Sequence, residues 1–310
     1  MTENRRIMDE RDSQNGELTD DHLLVPPSGN FAVPAPEAMP IEEPAAEAHP
    51  RVPIHLPTRH NPTLRAILDQ INADDDLYAI WRCANVNAMD RLGMSDHGPV
   101  HVQIVANIGL RLFRLLTSRQ IMPSAVEHHQ LTVDDAEVIV ALACLLHDVG
   151  MSIHRDDHER YSLFIAHDKL RELLPDFYPR AACRVMISEI LHAIIAHRAG
   201  GHPLTLEAGI VRVADALDMA KGRSRIPFEA GQLNIHSVSA AAIDRVSIAP
   251  GETRPIRIEI HMNNSAGIFQ VDGLLKEKLL GSGLEQYVDV TAMIDGEAEK
   301  RLITLARLSP

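Results

Sequence analysis

Cysteine is scarce in this 310-residue chain. Cys83, Cys144 and Cys183 form no CxxC pair and each falls in a mainly helical context. That predicts buried free thiols in a reducing compartment. Basic charge is also in deficit. Thirty Lys and Arg face 43 Asp and Glu, a formal net charge of -13, which argues against a dedicated nucleic-acid binder. A small anionic substrate stays open, because one local basic pocket suffices for it. Long apolar runs are missing too: the longest, Val138 to Leu146, is far too short to span a bilayer. The opening MTENRRIMDERDSQNGE holds no apolar signal core. The expectation is a soluble, cytoplasmic protein with neither nucleic acid nor membrane as partner. What the chain does have is a normal apolar content of 45 %, enough for a sizeable core, and 17 histidines.

Texture divides the sequence in three. Residues 1–60 carry nine of the 19 prolines and 11 acidic against 5 basic residues, with no helical or strand period. Such a segment buries too little apolar surface to offset its ordering entropy, so it reads as a disordered, acidic, Pro-rich tail. Residues 61–228 read as helical throughout. HVQIVANIGLRLFRLLTS places Val105, Ile108, Leu112 and Leu115 on one stripe. Thr132 and Asp135 resemble a capping box before AEVIVALACLLHD, and Gly150 suits a helix C-terminus. Residues 229–310 read as a small α+β unit. QLNIHSVS, RPIRIEIHMN and QYVDVTAMI look like strands, and VSIAPGETRPIRIEI like a hairpin. GIFQVDGLLKEKLLG and EAEKRLITLARL look helical. The fold class is therefore mainly α, a helical bundle followed by a small α+β C-terminal domain. The helix at VDGLLKEKLLG either faces a second copy, making a homo-oligomer, or covers its own sheet.

The stretch LACLLHDVGMSIH, residues 142–154, poses the chemical question. An apolar run ends in His147-Asp148, two groups that are costly to bury. An unpaired carboxylate there would cost several kcal/mol or shift its pKa, and a bound divalent ion removes that cost. Partners exist on other helices. His101 lies near the start of one, and Asp215 sits inside an apolar face among Val211, Ala214 and Leu217. Asp218, three residues on, either shares that face or turns to solvent. His154, His158, His192 and His197 lie between. His192 and His197 are five apart, about 140° around a helix, so only one should face the site. Spacing does not choose between His154 and His158.

The ordered pattern His101, His147-Asp148, Asp215 resembles the HD superfamily of metal-dependent phosphohydrolases. HVQIVA looks like its first-histidine helix, LLHDVG like its signature pair and VRVADALD like its final aspartate helix. The resemblance covers about residues 95–225. It implies a helical bundle in which the four residues ligate one metal. It further implies a second metal in many members, held here by His158, in HERYSLFIA, and His197, in AIIAHR, with His154 as the substitute for His158. Asp148 has two oxygens and can bridge both ions. His97-Gly-Pro-Val-His101 reproduces the spacing of class I cyclic-nucleotide phosphodiesterases, where the first histidine is the general acid for the leaving oxygen.

The reaction so implied is hydrolysis of a small phosphorylated substrate, a nucleotide or related phosphate ester, by a metal-activated water. Asp148 and His97 are the candidate catalytic groups. Arg155, Arg198, Lys221, Arg223 and Arg225 are candidate phosphate contacts, or else helix-end cations in solvent. One or two divalent ions are expected, and His/carboxylate donors do not select among Mn, Fe, Mg, Zn and Co. No GYP motif follows HDVGM, and no clear guanosine tetraphosphate hydrolase pattern is present. The alternatives are a non-catalytic module that keeps a metal or nucleotide, and a di-iron oxygenase.

Overall fold

Asn61 starts the first helix. Its side chain accepts the Leu64 N–H and Pro62 fills the first turn of α1 (Pro62–Ala73). Asp74 ends α1 and caps α2 (Asp75–Asn85) by accepting the Leu77 N–H. From α2 the chain runs into a π-helical turn, Val86–Arg91. The computed structural model describes residues 51–220 and 239–294. Five further helices and a short one build the bundle: α3 (Pro99–Ser118), α4 (Ser124–His129), α5 (Val133–Leu146), α6 (His158–Leu173), α7 (Arg180–Ala196) and α8 (Leu206–Leu217).

Helix α5 is the centre of this arrangement. Every residue from Ala136 to Leu146 is buried; all but Glu137, which is paired with Arg114 (2.7 Å), are apolar, as befits a helix packed on all sides. Helices α3, α7 and α8 pack around it. Thr132 and Asp135 form the expected capping box, so the start of α5 is fixed by its own side chains. Trp81 donates its indole N–H to the Leu145 carbonyl (3.1 Å), one of the last-turn acceptors that the helix itself cannot satisfy.

After the bundle come β1 (Ile243–Pro250) and β2 (Ile256–Met262), the expected hairpin, paired antiparallel with Val246 opposite Ile260 and Ile248 opposite Ile258. The helical stretch 268–279, here α9, has a π-helical middle, Val271–Lys276. It leads to β3 (Val288–Ile294), which pairs parallel with β2. A parallel neighbour needs a crossover, and α9 supplies it. On β2 the buried residues alternate: Ile256, Ile258, Ile260 and Met262. These side chains join the same buried cluster as the helices. Arg119, just after α3, donates to the Gly251 carbonyl of the hairpin turn (2.7 Å).

Several expectations need adjustment. Residues 51–60, read as the end of the tail, lie against the bundle: Ile54 is buried, and Asn72 bonds both its N–H (2.8 Å) and its carbonyl (2.9 Å). The first 50 residues lie outside the described ones. Cys144 and Cys183 are buried, but Cys83 is exposed, since the buried stripe of α2 is Leu77, Trp81 and Ala84. Gly150 does not end a helix in the left-handed conformation. It sits inside a 3-10 turn, Val149–Ser152, with a negative φ, and is small for a packing reason given below. Strand QLNIHSVS, apart from Ser239, and helix EAEKRLITLARL fall outside the described residues. Among the described residues no helix is long and apolar enough to cross a membrane.

Helix α8 also joins the bundle to the C-terminal segments. At Gly209 an added Cβ would lie 2.2 Å from the Ser282 carbonyl oxygen. Arg212, buried one turn later, sends Nε to the Lys278 carbonyl (2.9 Å) and Nη1 to those of Arg198 (2.8 Å) and Gly201 (2.7 Å). Gly209→Ala should therefore cost about 1–3 kcal/mol by overpacking against a backbone atom. The measurement is the thermal midpoint beside wild type, and an unchanged midpoint would show that the 281–284 loop is not seated on α8.

Candidate metal centre

The positioning of each donor is local and specific. His101 is the third residue of α3. Asp96 accepts the N–H groups of Gly98 (3.1 Å) and His101 (3.0 Å), and Asn85 holds Asp96 in turn (2.7 Å). His147 directly follows α5, and its Nδ1 donates to the Cys144 carbonyl (2.8 Å). The chain then turns sharply around Ser162, whose hydroxyl donates to the His147 carbonyl (2.6 Å) and accepts the Gly150 N–H (2.9 Å). A Cβ on Gly150 would lie 2.0 Å from the His158 carbonyl oxygen, so only glycine lets this turn approach α6. His158 opens α6, and His197 follows the last residue of α7 with Nδ1 on the Ile194 carbonyl (2.6 Å). Asp215 and Asp218 come from the end of α8. Asp218 accepts from His101 Nδ1 at 2.6 Å.

These segments bring His101, His147, Asp148, His158, His197 and Asp215 together. One oxygen of Asp148, Oδ2, lies 3.3 Å from both His101 Nε2 and His147 Nε2. The other, Oδ1, lies 3.1 Å from His158 Nε2 and 3.7 Å from His197 Nε2. Asp215 Oδ1 is 3.5 Å from His101 Nε2 and 3.7 Å from His147 Nε2. Asp148 thus faces one histidine pair with each oxygen.

The decisive feature is the contact between His101 Nε2 and His147 Nε2, 3.3 Å apart. Both rings spend their Nδ1 proton elsewhere, on Asp218 and on the Cys144 carbonyl. In their neutral forms both Nε2 atoms carry lone pairs. Those lone pairs would face each other and two carboxylates in a buried space. Such a group needs a proton or a shared cation. Among the described residues three overlapping trios have ligand atoms within 4.8 Å of one another: His101/His147/Asp148, His147/His197/Asp215 and Asp148/His158/His197. Nitrogen and carboxylate donors at these separations fit a divalent ion, with the anchored Nδ1 atoms fixing the tautomers.

Charge follows the same logic. Burial would depress the His147 pKa, but Asp148, and then Asp215, push it up to about 10. Burial would raise Asp148, yet the charge of His147 and hydrogen bonds from His101, His147 and His158 hold it well below the usual carboxylate range. Asp215 is held low against its own burial, first by Lys278 and then by His147 and His197. His197 is pushed well below its usual value by burial, with His147 and Lys278 adding to it.

The other sequence candidates separate clearly. His154 is exposed and accepts the Asp156 N–H (3.0 Å), away from the cluster. Asp157 takes a left-handed φ of 59° and breaks the chain before α6, so His154 and His158 do not share a helix face. His192 accepts the Leu204 N–H (3.0 Å) and lies outside the donor trios. His97 is buried at the edge, its ring centroid 5.5 Å from that of His101 and its Nδ1 2.7 Å from the Ser95 carbonyl oxygen. Arg155 is exposed and sets Nη1 2.8 Å from His158 Nδ1, behind the nitrogen that faces Asp148. Arg198 is half-buried one residue after His197. Lys221, Arg223 and Arg225 lie outside the described residues.

A family profile for the HD domain matches residues 100–220. An uncharacterised protein of Methanocaldococcus jannaschii is 41 % identical over 233 residues, 75 % of this chain and 90 % of that relative. The chain belongs to the HD-domain superfamily. All six residues of the HD centre lie within the matched span. Two of its neighbours do not: His97 precedes it, and Lys278 of α9, whose ammonium is hydrogen-bonded to Asp215 Oδ2, follows it.

Sequence reasoning missed Lys278 and Ser162 as parts of this centre and left Asp218 open. Ser162 had a signal, a small residue four after His158. Asp218 had one too, three residues from Asp215 on an apolar helix. Lys278 had none.

Two predictions concern this centre. Removing the acceptor for His101 Nδ1, in Asp218→Ala, should weaken divalent-ion affinity about 10- to 100-fold with the fold retained; calorimetric titration with Mn and circular dichroism check it. The second concerns pH. The His147 pKa in the folded, metal-stripped protein lies above its ordinary value of 6.5. Its protonation therefore stabilises the fold fully below about pH 6.5 and ceases to as pH climbs to about 10. The thermal midpoint of chelator-treated protein should fall across that interval. A midpoint that stays level or rises there contradicts the assignment.

Proposed function

We propose that this HD-superfamily chain is a metal-dependent hydrolase of phosphate esters, acting on a nucleotide or a related small phosphorylated compound. The observation that carries the reading is Asp148, whose two oxygens each face a pair of histidines within a buried cluster. That division suits one or two divalent ions. When bound, such an ion supplies Lewis acidity, lowering the pKa of water and drawing charge from phosphoryl oxygens.

The chain's own groups supply the rest. His101, His147, Asp148 and Asp215 are proposed as the first donor set, and His158 and His197, with Asp148 shared, as the second. Asp218 and the carbonyls of Cys144 and Ile194 hold three of the imidazoles in the orientation that presents Nε2. Asp148 orients the attacking water. His97 is proposed as the proton donor to the leaving oxygen. With Nδ1 on the Ser95 carbonyl, the proton it hands on is the one at Nε2. Arg155, in the turn before His158, and Arg198, one residue after His197, remain proposed phosphate contacts. The buried wall of α5 keeps bulk water from the inner side of the cluster.

The test is metal analysis of purified protein followed by a screen of phosphomonoesters and phosphodiesters with Mn added. The expected result is retained metal and turnover that falls at least 1000-fold in Asp148→Ala. His97→Ala should lower kcat about 100- to 10,000-fold while metal content stays at the wild-type level. A folded protein that retains metal and binds nucleotide but cleaves no ester would make it a binding module instead.

A further inference from the structure

We propose that Lys278, carried into the HD centre by α9, is a ligand of the substrate's phosphoryl group. The proposal rests on the hydrolase reading above and adds a residue from outside the span matched by the HD profile.

The geometry is specific. Lysine is almost never buried unless it is paired, and Lys278 is buried, its side chain 10 % exposed and bonded to Asp215 Oδ2. Its neighbour Lys276 behaves as helix-surface lysines do, exposed and 3.5 Å from Asp272. Two lysines two residues apart thus meet opposite fates, and the difference lies in how α9 is held. Arg212, three residues before Asp215 on α8, donates to the carbonyls of Lys278 and Glu277 (2.9 and 3.2 Å) and to those of Arg198 and Gly201. One buried guanidinium therefore fixes Lys278 and the loop after His197 to the helix that carries Asp215. Its planar fork of donors is satisfied by main-chain oxygens.

The position fits a phosphate contact. Asp215 turns Oδ1 toward His101 and His147 and Oδ2 toward Lys278. It is the more exposed of the two clustered carboxylates, 13 % against 4 % for Asp148. The ammonium accordingly sits beside the more exposed of these two carboxylates. It has three donors, and Asp215 takes one. The other two can meet phosphoryl oxygens without Asp215 being released.

Charge balance gives the lysine a task. Asp148, Asp215 and Asp218 bring three negative charges into the buried site. One divalent ion leaves the sum negative, which repels a phosphate dianion. Lys278 brings it to neutrality, and with two ions the sum becomes positive. A compact ammonium is also the side chain suited to act on phosphate as a point charge.

The experiment uses the full chain loaded with Mn. Inorganic phosphate is titrated by calorimetry, metal content is measured by mass spectrometry, and KM and kcat are read on the best ester of the screen. Lys278→Met is expected to keep wild-type metal content, bind phosphate at least 10-fold more weakly and raise KM by a similar factor. Lys278→Arg should restore part of the phosphate affinity. Lys278→Gln, which keeps the polar contact to Asp215 without the charge, covers the case in which Lys278→Met does not fold. Should Lys278→Met or Lys278→Gln bind phosphate as wild type does, or should the Mn-loaded wild type bind none, the assignment is overturned. A wild type that binds phosphate through Lys278 yet cleaves no ester overturns the hydrolase reading and leaves the phosphate ligand standing.

Discussion

Everything in the bundle answers to one electrostatic constraint: imidazole nitrogens and carboxylate oxygens are aimed at one another in a largely buried space. His101 Nε2 and His147 Nε2 lie 3.3 Å apart with both opposite nitrogens already committed as donors. Neutral rings in that arrangement would oppose lone pairs, and Asp148 and Asp215 add negative charge to the same point. A proton on His147 relieves it in part. A divalent cation relieves it more completely, because it is shared by all the donors at once. The folding energy of the apolar helices is what holds such an arrangement together.

The supporting parts are arranged around that demand. From Ala136 to Leu146 helix α5 is buried on all sides, so His147 and Asp148 emerge from its packed end. Ser162 and Gly150 lock the following turn onto α6, which brings His158 to the second oxygen of Asp148. Helix α8 has two duties. Its C-terminal end presents Asp215 and Asp218, and its middle, through Gly209 and Arg212, seats the chain around α9.

Much of the centre was legible in the sequence because ionisable residues inside apolar stripes are conspicuous. His147-Asp148 after a run of aliphatics, and Asp215 among Val211, Ala214 and Leu217, stand out without any coordinates. The choice of His158 over His154 came from the family resemblance and not from spacing, since it depends on the left-handed Asp157 that separates them. Gly150 misled for a related reason: a glycine after a helix signals either a positive φ or a close approach, and here it is the approach. Cys83 could have been placed correctly, because the Leu77–Trp81–Ala84 stripe turns it to solvent. Lys278 was hidden. In LLKEKLLG its charge reads as one more solvated helix position, and only the docking of α9 through backbone carbonyls separates it from Lys276. Main-chain acceptors leave no trace in a residue pattern.

The parallel pairing of β3 with β2 has a consequence for how the molecule opens. Strands joined by a crossover cannot unzip locally as a hairpin can. Release of β3 exposes the connection, and the connection is α9. The last described strand and Lys278 therefore lie on one continuous segment, held to α8 through Arg212 and to β2 through the strand pairing. Fraying that begins in a small sheet, far along the chain from the histidines, would loosen the segment that sets a positive charge beside Asp215.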